Sequence, residues 1–317
     1  MTGPVAGPVF VFSAHRSGGT MLARVLNCHP DLVIWGEHGG FINQLAEVDV
    51  ITSGFEGLTV PVGDRGLSDF IGGEKFNPAM FNPWANPFEQ GSYRTWCRRF
   101  IESTFSYGLR PGQRWGFKEI RYHTVRTASF LATLFPDARF VILRRALYPL
   151  ALSNLFAPWS VDRLRWSGAI RSEADIRAAV IDCAYALTAI DHGFGAILAA
   201  LPGRCHVVNH EAITPSAQDV FADLFMFLGL RGSRALLQAI IAVVESRVGT
   251  SDRGTAEGHL TLQTVERYLA DALATAQAQI AADGIDTARL KRIAPQGRYS
   301  YLAGDHSLSD TPLSAMF

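Results

Sequence analysis

Residues 9–20 read VFVFSAHRSGGT, and the change of pattern inside them decides the fold. An apolar run, Val9 to Phe12, breaks at Ser13. A loop of small residues carrying one cation follows: Ala14, His15, Arg16, Ser17, Gly18, Gly19, Thr20. Apolar residues then recur with helical spacing at Met21, Leu22, Val25 and Leu26. A strand, a glycine loop and a helix start together form a cradle for an anion, because amides at a helix N-terminus are unpaired and the dipole there favours negative charge. Gly18 and Gly19 let the backbone approach a phosphate closely, Ser17 and Thr20 add hydroxyl donors, and Arg16 supplies the counter-charge. A phosphorylated ligand is the expected occupant. A tight strand-to-helix turn made only for packing is the competing reading. The nucleoside triphosphatase pattern does not fit, since no Lys follows the second glycine and the cation precedes the glycines.

Working outward, Leu32–Trp35 reads as a second strand, followed by Gly36-Glu37-His38-Gly39-Gly40 and a helix from Phe41 through Glu47. Residues 49–92, rich in Gly, Pro, Asn and Phe without a sustained period, read as an irregular insertion or lid on the acceptor side. Strands are expected at Arg114–Lys118, Arg139–Leu143 and Cys205–Asn209. Helices are expected at Tyr93–Tyr107, Thr124–Leu134, Pro149–Phe156, Glu173–Leu201 and Asp219–Leu228, the last capped by Gly229. The last ninety residues read as mostly helical, with a polar loop at Ser246–Thr255. This alternation predicts an α/β, P-loop-like three-layer fold: a central parallel sheet, helices on both faces and a helical C-terminal part, in a single domain over 1–317. Ligands of such sheets bind at the carboxyl ends of strands, where the loops after Phe12, Trp35 and Leu143 lie.

The chain has 317 residues, 48% hydrophobic and 18% charged, with a formal net charge of zero, which suits a globular protein with a large core. The balance gives no sign of general nucleic-acid or membrane-surface binding, so any anion site must be a local cluster. Cys28, Cys97, Cys183 and Cys205 lack metal spacing and read as reduced thiols, and MTGPVAGPVF lacks the basic start of a signal peptide; a cytoplasmic protein is the expectation. The long apolar stretch Ile176–Leu201, interrupted by Asp182, Asp191 and His192, reads as a buried helix with no membrane span.

A second anion site is suggested by FVILRRALYPLALSN, with Arg144 and Arg145 at a strand end and Ser153 in the following helix. Arg forks suit phosphate oxygens and Ser adds a neutral donor. An ordinary surface Arg pair and a helix Ser is the alternative.

Together the two segments resemble a known family. HRSGGTMLARVLNCHPDLVIWGE looks like the opening of the sulfotransferases that use 3′-phosphoadenosine 5′-phosphosulfate (PAPS), in particular the branch with an RSGTT-type loop that includes the tyrosylprotein sulfotransferases. The resemblance implies that Arg16, Ser17, Gly18, Gly19 and Thr20 bind the 5′-phosphosulfate end, with Gly19 in place of a customary Thr. LFPDARFVILRRALYPLALS is similar to the family's second element, which implies that Arg145 and Ser153 bind the 3′-phosphate; Ala146-Leu147 replaces the usual Asp/Asn-Pro there. VVNHEAITPSAQDVFADLFMFLGL resembles a third patch, so the likeness runs over most of residues 9–230.

Sulfuryl transfer is an in-line displacement that needs positioning, charge stabilisation on the leaving phosphate and removal of the acceptor proton, and cations with backbone donors meet those needs without a metal. Arg16 and Lys118 are the candidate neutralising cations. Glu37, in the "GE" context after the "HPD" turn, is the candidate general base, a role that calls for a partly desolvated carboxyl with a raised pKa. His38, His15 and His123 keep a histidine base open, and Arg121 is open as a support for acceptor or donor. Residues 246–251, Arg298 and Tyr299 are late candidates for closing over the donor, and Tyr185 for stacking on adenine, although a core aromatic fits Tyr185 as well. The acceptor, whether a small molecule, a carbohydrate or a peptide, is not encoded legibly. Two alternatives stand beside the transferase: a P-loop kinase-like nucleotide phosphotransferase and a non-catalytic nucleotide-binding protein.

Overall fold

The first strand, β1 (Val9–Ser13), is buried along its whole length, and its alternation of side chains sorts the molecule into layers. Phe10 and Phe12 point to one face of the sheet and Val9 and Val11 to the other. The computed structural model describes residues 7–54, 91–157, 171–214, 218–246 and 261–293. Four more strands, β2 (Leu32–Trp35), β3 (Arg114–Glu119), β4 (Arg139–Arg144) and β5 (Cys205–Asn209), complete a parallel sheet in the order β2-β3-β1-β4-β5. β1 is therefore central. Phe12 is level with Glu119 of β3 and Ser13 with Leu143 of β4, so the loop after β1 emerges between Lys118 and Arg145.

On the valine face, α1 (Gly19–Leu26), α7 (Gln218–Phe227) and α8 (Arg234–Glu245) close over Val11, Leu32, Ile34, Val141 and Leu143. The opposite face is aromatic: Phe10, Phe12, Phe117, Tyr122 and Phe140 pack with ring centroids 4.6 to 5.9 Å apart. It is covered by α2 (Ile42–Gly54), α3 (Ser92–Phe105), α4 (Val125–Leu134), α5 (Leu147–Leu155), α6 (Glu173–Ala200), α9 (Leu262–Asp283) and α10 (Thr287–Ile293). This is the three-layer α/β arrangement expected from the alternation of elements, with a helical C-terminal part.

Local signals account for most boundaries. Thr124 caps α4 through the Thr127 amide, and Ser172 forms a capping box with Asp175 at α6. The Leu230 amide reaches back to the Phe225 carbonyl at 2.8 Å around Gly229, whose φ is +68°, so α7 ends as expected. α6 is long and apolar enough to cross a membrane by length and composition, but 61% of that window is buried, and α9 packs along it.

One boundary is corrected. The segment expected to be irregular from residue 49 begins as helix, since α2 runs on to Gly54, and α3 already contains Ser92. Arg94 of α3 holds Asp49 with two hydrogen bonds of 2.7 and 2.9 Å, and the Tyr93 hydroxyl donates to the Leu45 carbonyl, so contact with α3 sustains the β-branched end of α2. The rest of the insertion, residues 247–255 and Arg298 with Tyr299 lie outside the described residues.

Candidate active site

The loop after β1 is wound tightly on itself. The Ser17 amide and hydroxyl both donate to the Ala14 carbonyl, at 3.4 and 2.7 Å. The Ser17 hydroxyl, expected to face a phosphate, thus has its proton committed within the loop. Arg16 adopts φ +60° and Gly18 φ +95°. A side chain at Gly18 is strained twice over, by φ and by a Cβ that would stand 2.5 Å from His210 Nδ1. A Cβ on Gly19 would meet Ser13 Oγ at 2.5 Å and Lys118 Cε at 2.9 Å, so the Lys118 stem lies directly against the loop. Thr20 sits exposed on the first turn of α1, where backbone amides have no intrahelical acceptor.

From the β4 side, Arg145 Nη1 donates to the Arg16 carbonyl at 2.7 Å, and Arg16 Nε donates to Ser153 Oγ at 3.2 Å. Asn154 adds a bond from Nδ2 to the His15 carbonyl at 3.1 Å. Arg16, Arg145 and Ser153 therefore converge, although the two loops are 129 residues apart in sequence. Arg144 does not join them. It forms a two-pronged pair with Asp191 of α6, at 2.7 and 2.5 Å. Burial lowers the pKa of Arg145; Glu211, which also accepts from the Ala146 amide, opposes the shift, and Arg16 adds to it.

From the β3 side, Lys118, only 5% exposed, is hydrogen-bonded to Glu37 Oε1, and Arg121 Nη1 stands 3.5 Å from Glu37 Oε2. The Glu37 side chain is 37% exposed and lies between two cations, Lys118 and Arg121. Beneath it, the fully buried Glu119 accepts from the amides of His38 (3.0 Å), Gly40 (3.1 Å) and Ile120 (2.9 Å) and from Arg121 Nη1 (2.8 Å). Burial pushes the pKa of Glu119 up, but the His38 amide and the Arg121 charge outweigh it and hold the carboxyl below its ordinary value. Arg121 is thus engaged by two carboxylates.

Two of the three candidate histidines, His38 and His123, are drawn into the core. His38 sits among Phe41, Phe105, Phe117 and Tyr122, with Nε2 2.7 Å from the Tyr122 hydroxyl, and burial lowers its pKa. His123 is buried where its carbonyl meets Gly193 of α6, and burial brings its pKa down to about 3. Tyr185 is a core residue, not an adenine platform: it is 2% exposed, its hydroxyl accepts from the Asp286 amide, and Arg289 lies 3.9 Å from its ring centroid.

An oxyanion fits this corner. Ser13 Oγ, Arg145 Nε and His210 Nδ1 are screened from solvent and have no protein partner, and all border the loop. Buried polar atoms are ordinarily paired, so three of them around one glycine loop mark a place for a polyvalent polar ligand. Among the described residues, no group of three or more His, Cys, Asp or Glu side chains is placed to hold a metal. Sequence reasoning left Ser13, Asn154 and Glu119 without a role, and it gave none to His210 and Glu211, which lie directly after β5 in the third resembling patch.

A family model described as the sulfotransferase family matches residues 8–234. The chain belongs to the sulfotransferase family. Solved structures similar to this sulfotransferase include the sulfotransferase domain from the curacin biosynthetic pathway, 19% identical with a TM-score of 0.43 over 92% of this chain and 96% of that one. A sulfotransferase from Alicyclobacillus acidocaldarius is 15% identical with a TM-score of 0.44 over 93% and 98%. One from Mycobacterium avium is 17% identical with a TM-score of 0.43 over 86% and 77%. No curated protein sequence matches the enzyme. The matched span contains all three corners of the site: the loop after β1, the Glu37–Lys118 pair and the Arg145–Ser153 segment.

Proposed function

We propose that this sulfotransferase moves a sulfuryl group from PAPS to a hydroxyl, or an amine, of its acceptor. The observation that carries the reading is the closure of two distant segments on one glycine loop, Arg145 onto Arg16 and Arg16 onto Ser153, with Lys118 against the opposite rim. The donor, when bound, supplies an activated sulfuryl group whose sulfur–oxygen bond to phosphate breaks as the acceptor oxygen bonds to sulfur.

Each residue then has a defined task. Arg16 and the backbone of Gly18, Gly19 and Thr20 hold the 5′ end at the helix start, in a loop that Ser17 keeps closed through its bonds to the Ala14 carbonyl. Arg145 and Ser153 hold the 3′-phosphate through a fork and a hydroxyl. Lys118 and Arg16 neutralise the charge that grows on the leaving phosphate, an effect that strengthens as water is excluded. Glu37 takes the acceptor proton. Its contact with Lys118 places base and cation side by side, so proton removal and leaving-group stabilisation occur at adjacent points. The acceptor is a small molecule, a carbohydrate or a peptide. The cytoplasm is the compartment we assign, consistent with four cysteines that form no disulfide.

The test is a calorimetric titration with adenosine 3′,5′-bisphosphate, with and without magnesium, and adenosine 5′-monophosphate as control. Metal-independent binding that requires the 3′-phosphate is the expected result. Failure to bind, or a magnesium-dependent preference for ATP, refutes the reading in favour of a kinase-like enzyme.

A further inference from the structure

The 3-10 turn His210–Ala212, which follows β5, brings an imidazole into the corner of the anion loop. His210 Nδ1 and Cε1 would stand 2.5 and 2.9 Å from a Cβ on Gly18, so the ring rests directly on the backbone of the loop. Nδ1 is shielded from solvent and has no hydrogen-bond partner. Two further unpartnered buried atoms border the same loop: Oγ of Ser13, itself 1% exposed, and Nε of Arg145.

The charges acting on the ring come from three elements. Arg145, from the β4–α5 junction, disfavours an imidazolium; Glu211, on the ring's own turn, favours it; so does the Ser17 backbone, from the loop. Burial is the largest influence, and with Arg145 it keeps His210 below the ordinary histidine value. Proton binding here is therefore held back by desolvation and by one cation. An entering phosphate group, carrying about −1.5 to −2 charges near neutrality, works against both.

We propose that His210 takes up a proton as a phosphorylated ligand enters the loop, which makes donor affinity and ring protonation one linked equilibrium. The proton comes from solvent and adds to the ring nitrogen that lacks one, and no covalent bond in the ligand changes. The inference rests on the donor-site reading above for the identity of the ligand. An opposite charge within a few ångströms shifts an ionisable group by about 1–3 pH units. Such a shift raises the His210 value on binding, so the charged form is more populated in the complex than in the free enzyme. By linkage, affinity rises as pH falls between the values of the free and liganded ring, by up to about tenfold per pH unit. A ring that only packs against Gly18 shows no such coupling.

The experiment titrates the enzyme with adenosine 3′,5′-bisphosphate at neutral pH in buffers of different ionisation enthalpy, which counts protons taken up. Wild type is compared with His210→Gln and His210→Asn. The second ionisation of the phosphates, near pH 6, contributes equally to all three and drops out of the comparison. The expected result is greater proton uptake by wild type, with both variants still binding. Titration of the wild-type histidine ring protons by NMR, with and without bisphosphate, decides the matter even if the variants do not fold; one resonance should move to a higher pKa in the complex. Equal proton uptake by wild type and the variants, or ring resonances that titrate identically in both states, overturns the His210 proposal and leaves the donor site standing. Absence of bisphosphate binding by wild type overturns both.

Discussion

Gly18→Ala tests the geometry of the loop more directly than any charge substitution. The change adds one methyl group at φ +95°, a conformation that costs an L-residue about 1–2 kcal/mol. The same methyl would sit 2.5 Å from His210 Nδ1 and 2.9 Å from Cε1, so the ring or the loop must move. Overpacking of that kind adds about 1–3 kcal/mol, for about 2–5 kcal/mol in all. Gly39→Ala is the control, since Gly39 has φ +75° and no atom within 4 Å of the added Cβ. It should lose only the conformational part, about 1–2 kcal/mol. Urea unfolding midpoints at matched slopes measure both, and bisphosphate titration reports the loop. Gly18→Ala should unfold at clearly lower urea than Gly39→Ala and bind bisphosphate more weakly. Adding His210→Ala to Gly18→Ala should recover the steric part and leave the conformational one. If Gly18→Ala unfolds with Gly39→Ala and binds like wild type, His210 does not press on the loop and the reasoning fails.

Other expectations follow from the same contacts. Glu37→Gln keeps an oxygen for the buried Lys118 ammonium and should cut sulfuryl transfer by about a hundredfold or more while bisphosphate affinity holds; radiolabelled PAPS with a panel of phenols and sugars reads this, and wild-type turnover would remove Glu37 as the base. Arg145→Ala should weaken bisphosphate binding by roughly ten- to a hundredfold, from about 1.5–3 kcal/mol for a charged hydrogen bond, and Ser153→Ala by less; lost turnover with unchanged affinity would take both out of the 3′-phosphate site. Glu119 has its pKa below the ordinary glutamate value in the folded state. Its stabilisation is complete above the unfolded-state value and drains away as pH falls through the folded one. Acid unfolding of Glu119→Gln should accordingly show a shallower loss of stability below about pH 4.5 than wild type, and parallel curves would contradict the assignment.

Val9–Ser13 and Cys205–Asn209 were legible because each is a short run of mostly apolar residues closed by a polar one. Even the division of the core was present in the order of residues, since Phe10, Phe12 and Phe140 alternate with Val9, Val11 and Val141. The strand order was not, because pairing depends on which faces the helices cover, and no local pattern records it. The pairing of Glu37 with Lys118, 81 residues away, follows from the parallel registry of β2 on β3 and is invisible before that registry is known. Arg144 and Arg145 look alike in sequence but diverge in space, because strand alternation turns one to Asp191 and the loop takes the other. His38 could not be separated from a general base without seeing the four aromatic rings around it.

Arg16 is the one non-glycine residue in the left-handed region among those described. Its carbonyl is held there by Arg145 and its side chain is tethered to Ser153. A side chain with a Cβ is at a disadvantage at this φ, and Gly or Asn would sit there with less strain. Fold stability and anion capture therefore pull this position in opposite directions. A library selected for thermal resistance alone should drift from Arg toward Gly or Asn at residue 16, while one selected for turnover should keep the guanidinium and tolerate the backbone it demands.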